Sequence, residues 1–147
     1  AVPPPVDAGL EVRRTLLDAQ GEPVDGTKIR QGDLVVVRLT VQSPNRLENV
    51  VIDELLPGGF EIENPALAGS RTLPWLNRDM IVPTLRVERR DDRLLVFAGP
   101  FQGRYDFHYA VRAVTAGRFV QPAVQASCLY APAIQSRSGA GTVEVAE

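Results

Sequence analysis

Apolar and polar residues alternate along most of this chain. Between Leu34 and Val41, every second residue (Val35, Val37, Leu39 and Val41) is apolar. The same period of two recurs from 105 to 113, where Tyr105, Phe107 and Tyr109 share one face with later apolar residues. Successive side chains of a strand point to opposite faces, whereas a helix would scatter these sets around its axis. The pattern predicts nine strands: 10–18, 33–42, 49–56, 59–63, 84–90, 93–98, 104–115, 118–130 with a break at Pro122, and 140–146.

Turn residues separate these strands about every ten residues, which is typical of a β-sandwich. The polar stretch 90–93 lies between two apolar runs and predicts one hairpin. A second hairpin is predicted at 115–117, leading from the strand 104–115 into residues 118–122. Pro122 has no backbone N–H and is expected at an edge or a bulge. Since no long stretch shows a helical period with caps, the chain is predicted to be all-β.

The length and composition indicate one domain. The chain has 147 residues, of which 44% are hydrophobic, enough for one core. Prolines 3–5 predict an extended linker from an upstream domain over 1–8, followed by a single sandwich over 9–147. Residues 66–83 show no clear period and are expected to form a long connection. In that connection Trp75 is expected to fold back over an open sheet end, with a partner contact as the alternative.

The charge pattern argues against several classes of partner. The net charge is −2, and Lys28 is the only lysine, so neither nucleic acid nor an anionic membrane surface is favoured. The arginines between 86 and 93 alternate with acidic residues, which indicates a solvated face. No apolar run is long enough to cross a membrane, and no export signal is expected in this segment.

Candidate catalytic chemistry is sparse. A single cysteine, Cys128, forms no internal disulfide or zinc cluster and is predicted to be a buried, inert thiol. The only histidine, His108, lies with Asp106 on the polar face of a strand. A general base is possible there in principle, but a surface histidine is the prediction. The sequence has no nucleophile elbow, phosphate loop or calcium loop. We therefore predict a protein without catalytic, metal or cofactor sites.

Three segments together resemble a known family. They are 49–65, with Asp53-Glu54-Leu55-Leu56-Pro57-Gly58-Gly59-Phe60; 105–119, with Arg112-Ala113-Val114-Thr115-Ala116-Gly117; and Leu129-Tyr130-Ala131-Pro132. Over about residues 9–146 the chain resembles the C-terminal macroglobulin-like domain of bacterial alpha-2-macroglobulins. The first segment also resembles repeat domains of bacterial surface adhesins, whereas the other two distinguish the macroglobulin family. The resemblance implies an immunoglobulin-like antiparallel β-sandwich.

The resemblance also implies a role in a large protease trap. In that family, cleavage of a bait segment triggers a rearrangement that exposes a reactive thioester. The thioester requires a Cys-x-x-Gln motif, which Cys128 does not begin, because Leu129, Tyr130 and Ala131 follow it. The chain would instead pack beside the thioester domain and shield it, since an activated acyl group persists only where water is excluded.

The resemblance assigns the covering contact to Tyr130. Leu129 and Pro132, and less directly Ile134, are expected to form its apolar surround. The alternative is that Tyr130 is an ordinary aromatic residue, half-buried at a strand end of its own domain.

The implied partners are the thioester domain of the same polypeptide and, through the full-length protein, target proteases. The implied location is the periplasm of a Gram-negative bacterium, with the parent protein anchored to a membrane as a lipoprotein. A different class of function stays open at this point, namely a repeat, spacer or binding module of a surface adhesin.

Overall fold

Thirteen strands account for most of residues 4–67 and 73–147, the part of the chain that the computed structural model describes. The only helical element in these ranges is a three-residue 3₁₀ turn, Arg78–Met80, so no described helix is long enough to span a membrane. The strands are β1 Val6–Ala8, β2 Glu11–Leu17, β3 Ile29–Arg30, β4 Leu34–Leu47, β5 Val50–Leu55, β6 Phe60–Leu67, β7 Thr84–Arg89, β8 Arg93–Ala98, β9 Phe101–Ala113, β10 Gly117–Gln121, β11 Val124–Cys128, β12 Ala131–Ser138 and β13 Gly141–Ala146.

The strands form two facing sheets and a smaller third one. The six-stranded sheet has the order β1-β12-β11-β5-β8-β7, and the four-stranded sheet has the order β2-β4-β9-β6. The small sheet, β10-β13-β3, contains the parallel pair β13–β3, while the ladders of the two larger sheets are antiparallel. The predicted all-β sandwich is therefore confirmed.

Alternation of the kind predicted for β4 builds the core between the sheets. Val35, Val37, Leu39 and Val41 are each at most 3% exposed and face buried residues of β5 and β8, such as Ile52 and Val96. Tyr109 and Phe107 of β9 are buried in the same layer, and Tyr105 packs partly buried against it. Burial of these side chains supplies the main driving force for the fold.

A buried ion pair joins the two large sheets. The carboxylate of Glu54, on β5, is fully buried and accepts hydrogen bonds from two residues of the opposite sheet. Arg14 donates from Nε at 2.9 Å and forms a second bond through Nη2, while Tyr109 donates its hydroxyl at 2.7 Å. Burial, together with the charge of Glu54, raises the pKa of Tyr109 well above its ordinary value. All three groups are thereby paired in a region that excludes water.

The segments 49–65 and 105–119 meet at Phe119. The ring of Phe119 lies against Gly58, Gly59 and Gly117, and a Cβ at Gly59 would overlap it. Gly59 also has a φ of +83°, which a residue with a side chain rarely adopts. Its carbonyl accepts the N–H of Val114 at 2.9 Å. The close approach of the ring thus requires glycine at position 59 and leaves little room for a side chain at positions 58 and 117.

This contact explains why one predicted hairpin is wrong. The hairpin at 90–93 is confirmed, since β7 pairs with β8. After β9, however, Val114 and Thr115 both donate to Gly59, and β10 then pairs with β13 instead of returning along β9. The chain therefore leaves the four-stranded sheet at 114–117.

The strand prediction also missed three elements, β1, β3 and β12. The break at Pro122 is confirmed, but a further strand, β12, follows Tyr130. The strand β12 was not predicted because Pro132 and the serines interrupt its alternation of apolar and polar residues. The strand β1 pairs with β12, so residues 6–8 of the predicted linker belong to the six-stranded sheet. The remainder of the linker interpretation stays a prediction.

Of the predicted connection 66–83, residues 66 and 67 belong to β6, residues 68–72 lie outside the described part of the chain, and residues 73–76 cover the outer face of the four-stranded sheet. Leu73, Trp75 and Leu76 pack there with Val36 and Ala110. Trp75 folds back onto its own domain, over this outer face and not over the predicted open end. Its ring lies against Gly21, and its Nε1 donates to the carbonyl of Ala19 at 2.8 Å.

The predicted surface position of His108 is wrong. Its imidazole is 3% exposed because Trp75 lies edge-on above it, with the ring centroids 5.9 Å apart. Nε2 accepts a hydrogen bond from Nε of Arg38 at 3.0 Å, and Nδ1 has no partner among the described residues. Burial and, second, the charge of Arg38 lower the pKa of His108 to about 4, although Asp106 acts in the opposite direction. The polar face of β9 is buried around His108 because Trp75 and its neighbours form a second layer there.

We expect Glu54 to be among the most sensitive positions of the fold. Glu54→Ala leaves the Arg14 guanidinium buried without its partner and is expected to lower the free energy of unfolding by about 3–5 kcal/mol. Tyr109→Phe removes one hydrogen bond and should cost about 1–2 kcal/mol. Urea titration measures both. The control is Glu63→Ala, which removes an exposed ion pair with Arg112 and should cost less than about 1 kcal/mol. A similar loss in Glu54→Ala and Glu63→Ala would contradict this assignment.

Stability is also expected to fall in mild acid because of His108. Well above pH 6.5 the imidazole is neutral in both the folded and the unfolded chain. As the pH falls from 6.5 to about 4, the unfolded chain takes up a proton that the folded chain does not, so folding loses about 3 kcal/mol. His108→Gln should remove this part of the pH dependence in urea titrations. An unchanged slope between pH 6.5 and 4 in that variant would refute the assignment.

Candidate functional site

The hairpin of β11 and β12 ends in a projecting tip, residues 129–133. Leu129 and Tyr130 form its two-residue turn. Along the ladder Ser127 pairs with Gln135, but the next pair is Cys128 with Ala131, so residues 132–134 are extra on the β12 side. This bulge carries Pro132 and Ala133 outward beside the turn.

All five tip residues are apolar and exposed. Tyr130 is 84% exposed and Leu129 is 53% exposed, and the three residues after them are exposed as well. The alternative that Tyr130 is half-buried in its own domain is therefore wrong. Two other large apolar side chains of the described residues, Leu85 and Val120, are also exposed, but each stands alone on a different strand. A continuous exposed apolar run is unfavourable in water and is typical of interaction surfaces.

The base of the tip is firmly attached to the sandwich. Cys128 is buried directly before the turn, and the N–H of Leu129 donates to the carbonyl of Asn49 at 3.0 Å. Ile134, after the bulge, packs half-buried against the core, so it supports the tip and is not part of the exposed surround. These contacts present the tip residues on a fixed support.

A hydroxyl holds the rest of β12 to its neighbours. Ser136 accepts the N–H of Val12 at 2.9 Å and donates to the carboxylate of Asp7 at 2.6 Å. The hydrogen bonds from Arg13 and Ser136 lower the pKa of Asp7 to about 2. Asp7 is therefore ionised at neutral pH and keeps both bonds.

The tip offers a contact surface and no catalytic group. Tyr130 combines a large apolar ring with a hydroxyl, which suits it to a partly dry interface. The buried thiol of Cys128 has a pKa raised by burial, so it is protonated at neutral pH, as its predicted inert role requires. His108 lies beneath Trp75 on the other sheet. Among the described residues, no group of three acidic, histidine or cysteine side chains is placed to hold a metal ion.

The structure brings the three predicted contact residues, Tyr130, Leu129 and Pro132, together at this tip. Their contact role stays a prediction. Sequence reasoning missed Ala133, which is exposed beside them, and Asn49, whose carbonyl binds the turn. The position of Asn49 between two apolar runs could have indicated a turn there, because asparagine often occupies turn conformations.

Comparison with known proteins gives the same family from independent directions. The family model of the bacterial alpha-2-macroglobulin MG10 domain matches residues 9–133. The alpha-2-macroglobulin of Escherichia coli K12 is 32% identical over 143 residues, which cover 90% of this chain and 9% of that protein. This chain spans less than a tenth of the length of the curated relatives that it matches.

Solved structures agree with the sequence comparisons. The structure of Salmonella alpha-2-macroglobulin reacted with methylamine is 28% identical with a TM-score of 0.88, and the match covers all of this chain and 10% of that one. Trypsin-activated alpha-2-macroglobulin from Escherichia coli is 25% identical with a TM-score of 0.83, and the match covers all of this chain and 11% of that one. The predicted resemblance is thus confirmed, and this chain belongs to the MG10 domain family of bacterial alpha-2-macroglobulins.

Proposed function

We propose that this chain is the thioester-shielding domain of an alpha-2-macroglobulin-type endopeptidase inhibitor, and that Tyr130 is its covering residue. The exposed apolar tip carries the proposal. Five apolar residues project from an anchored hairpin, and the tyrosine among them is 84% exposed. A partner that accepts the tip would remove this surface from water.

Shielding is a task for which the tip has the right chemistry. A thioester is lost when water or an amine reaches its carbonyl carbon, so its lifetime depends on a dry cover. A tyrosine ring buries roughly 150–250 Å² at an interface. At about 25 cal/mol per Å², that area is worth at most about 4–6 kcal/mol. Such a contact is strong enough to keep a site closed and weak enough for a rearrangement to open it.

The relatives support a reactive thioester and a response to proteolysis in the parent protein. Methylamine is a small nucleophile, and the Salmonella relative has been obtained in a methylamine-reacted state. The Escherichia coli relative has been obtained in a trypsin-activated state. By analogy, the parent of this chain would carry an electrophile that amines attack and would respond to proteolysis.

In this proposal the partner of the tip is the thioester domain of the same polypeptide, and target proteases bind the full-length protein. The domain itself carries out no chemistry. The parent protein would act in the periplasm, held at a membrane as a lipoprotein. The adhesin-module alternative is not favoured, because both the family model and the relatives are alpha-2-macroglobulins.

We expect Tyr130→Ala to shorten the lifetime of the thioester in the full-length parent protein. Loss of the ring opens a path for small amines, so the thiol released by methylamine without protease should appear about ten- to a hundredfold faster. In the present chain the same change should alter the free energy of unfolding by less than about 0.5 kcal/mol, since the ring is exposed. Thiol release is followed with a chromogenic disulfide reagent.

Two further variants separate the ring from other effects. Val120→Ala removes an apolar side chain that is 71% exposed on a different strand, so it should leave the rate of thiol release unchanged. Tyr130→Phe keeps the ring and should retain most of the protection. Equal rates for wild type and Tyr130→Ala, or a wild-type parent that releases no thiol with methylamine, would rule out the shielding role.

A further inference from the structure

The tip is linked to a corner where the chain changes sheets. The strand β4 belongs to the four-stranded sheet and β5 to the six-stranded sheet, and only Glu48 and Asn49 connect them. The chain must therefore turn sharply within two residues. This corner lies beside the tip, because Val50 pairs with Cys128 in the ladder of β5 and β11.

Asn49 makes this turn in a left-handed backbone conformation. Its φ is 57°, and it is the only non-glycine residue of positive φ in the described part of the chain. Asparagine tolerates this region far better than most residues, whereas a β-branched side chain there is strongly disfavoured. The conformation of Asn49 determines the direction of its carbonyl.

That carbonyl binds the tip directly. It accepts the N–H of Leu129 at 3.0 Å, and Leu129 immediately precedes Tyr130 in the turn. Neither residue of the turn has a positive φ, so the turn is not one of the mirror-image types that match the twist of a tight hairpin by themselves. A hydrogen bond from outside the hairpin therefore helps to define the position of the turn.

We propose that Asn49 is a positioning residue for Tyr130. Its left-handed backbone holds the corner so that the carbonyl fixes Leu129, and this contact sets the height and direction of the tyrosine ring. The inference deepens the proposed function and rests on it for its consequence in the parent protein. The positioning itself is a property of this chain alone.

The test compares two substitutions of Asn49. Asn49→Gly keeps access to positive φ and should preserve the corner. Asn49→Val disfavours positive φ, because valine is β-branched, and should therefore disturb the corner. In this chain, we expect the amide of Leu129 to exchange with solvent about tenfold faster in Asn49→Val than in Asn49→Gly, while the amide of Val96 in the core changes equally little in both. If Asn49→Val does not fold, Asn49→Ala replaces it with the same expected direction.

The parent protein supplies the second measurement. Asn49→Val should accelerate methylamine-driven thiol release by about three- to tenfold, and Asn49→Gly should restore the wild-type rate. A merely structural role would change core exchange and thiol release together in both variants. Unchanged exchange of Leu129 in Asn49→Val would overturn the positioning role, whatever Tyr130→Ala does. If Leu129 exchanges faster but neither Asn49→Val nor Tyr130→Ala alters thiol release, the positioning role stands and the shielding function fails.

Discussion

The carboxylate of Glu54 is the group on which the arrangement of the two sheets depends. It is fully buried in β5, is neutralised by Arg14 and accepts a hydrogen bond from Tyr109, and both partners belong to the opposite sheet. A buried ion pair of this kind adds little net stability, but the loss of one partner is severe, because an unpaired charge is left away from water. The two large sheets are therefore most stable in the relative position that brings Glu54, Arg14 and Tyr109 into contact. Since β5 also pairs with β11, the same contact fixes the strand that leads into the tip.

The tip has the properties of one half of an interface, because it is apolar, exposed and firmly held at its base. Its base is held by the buried Cys128, by the hydrogen bond of Leu129 to Asn49 and by Ile134 in the core. A surface fixed in this way loses little conformational entropy when a partner covers it, so more of the gain from apolar burial contributes to binding. In the proposed function, the cover is the thioester domain of the parent protein, which is consistent with relatives more than ten times as long as this chain.

The sequence predicted what depends on local alternation and missed what depends on contacts distant along the chain. The buried faces of β4 and β9, the β7–β8 hairpin and the break at Pro122 all follow from neighbouring residues. The hairpin at 115–117 failed because Phe119 binds the glycines at 58–59, which local patterns do not reveal. His108 was misplaced because Trp75 covers it. The tip residues came from the family resemblance and not from their spacing, and the backbone conformation of Asn49 is not readable from its identity.

Burial of Tyr130 in the native parent protein tests the central claim most directly. The chain has three tyrosines, of which Tyr109 is buried and Tyr105 is partly buried, so nitration by tetranitromethane distinguishes Tyr130 clearly. The rate of nitration at Tyr130, measured by peptide mass spectrometry, should be high in this chain alone. In the native parent protein it should be at least about tenfold lower, and it should rise again after protease treatment. Equal nitration of Tyr130 in the isolated chain and in the native parent would contradict the account.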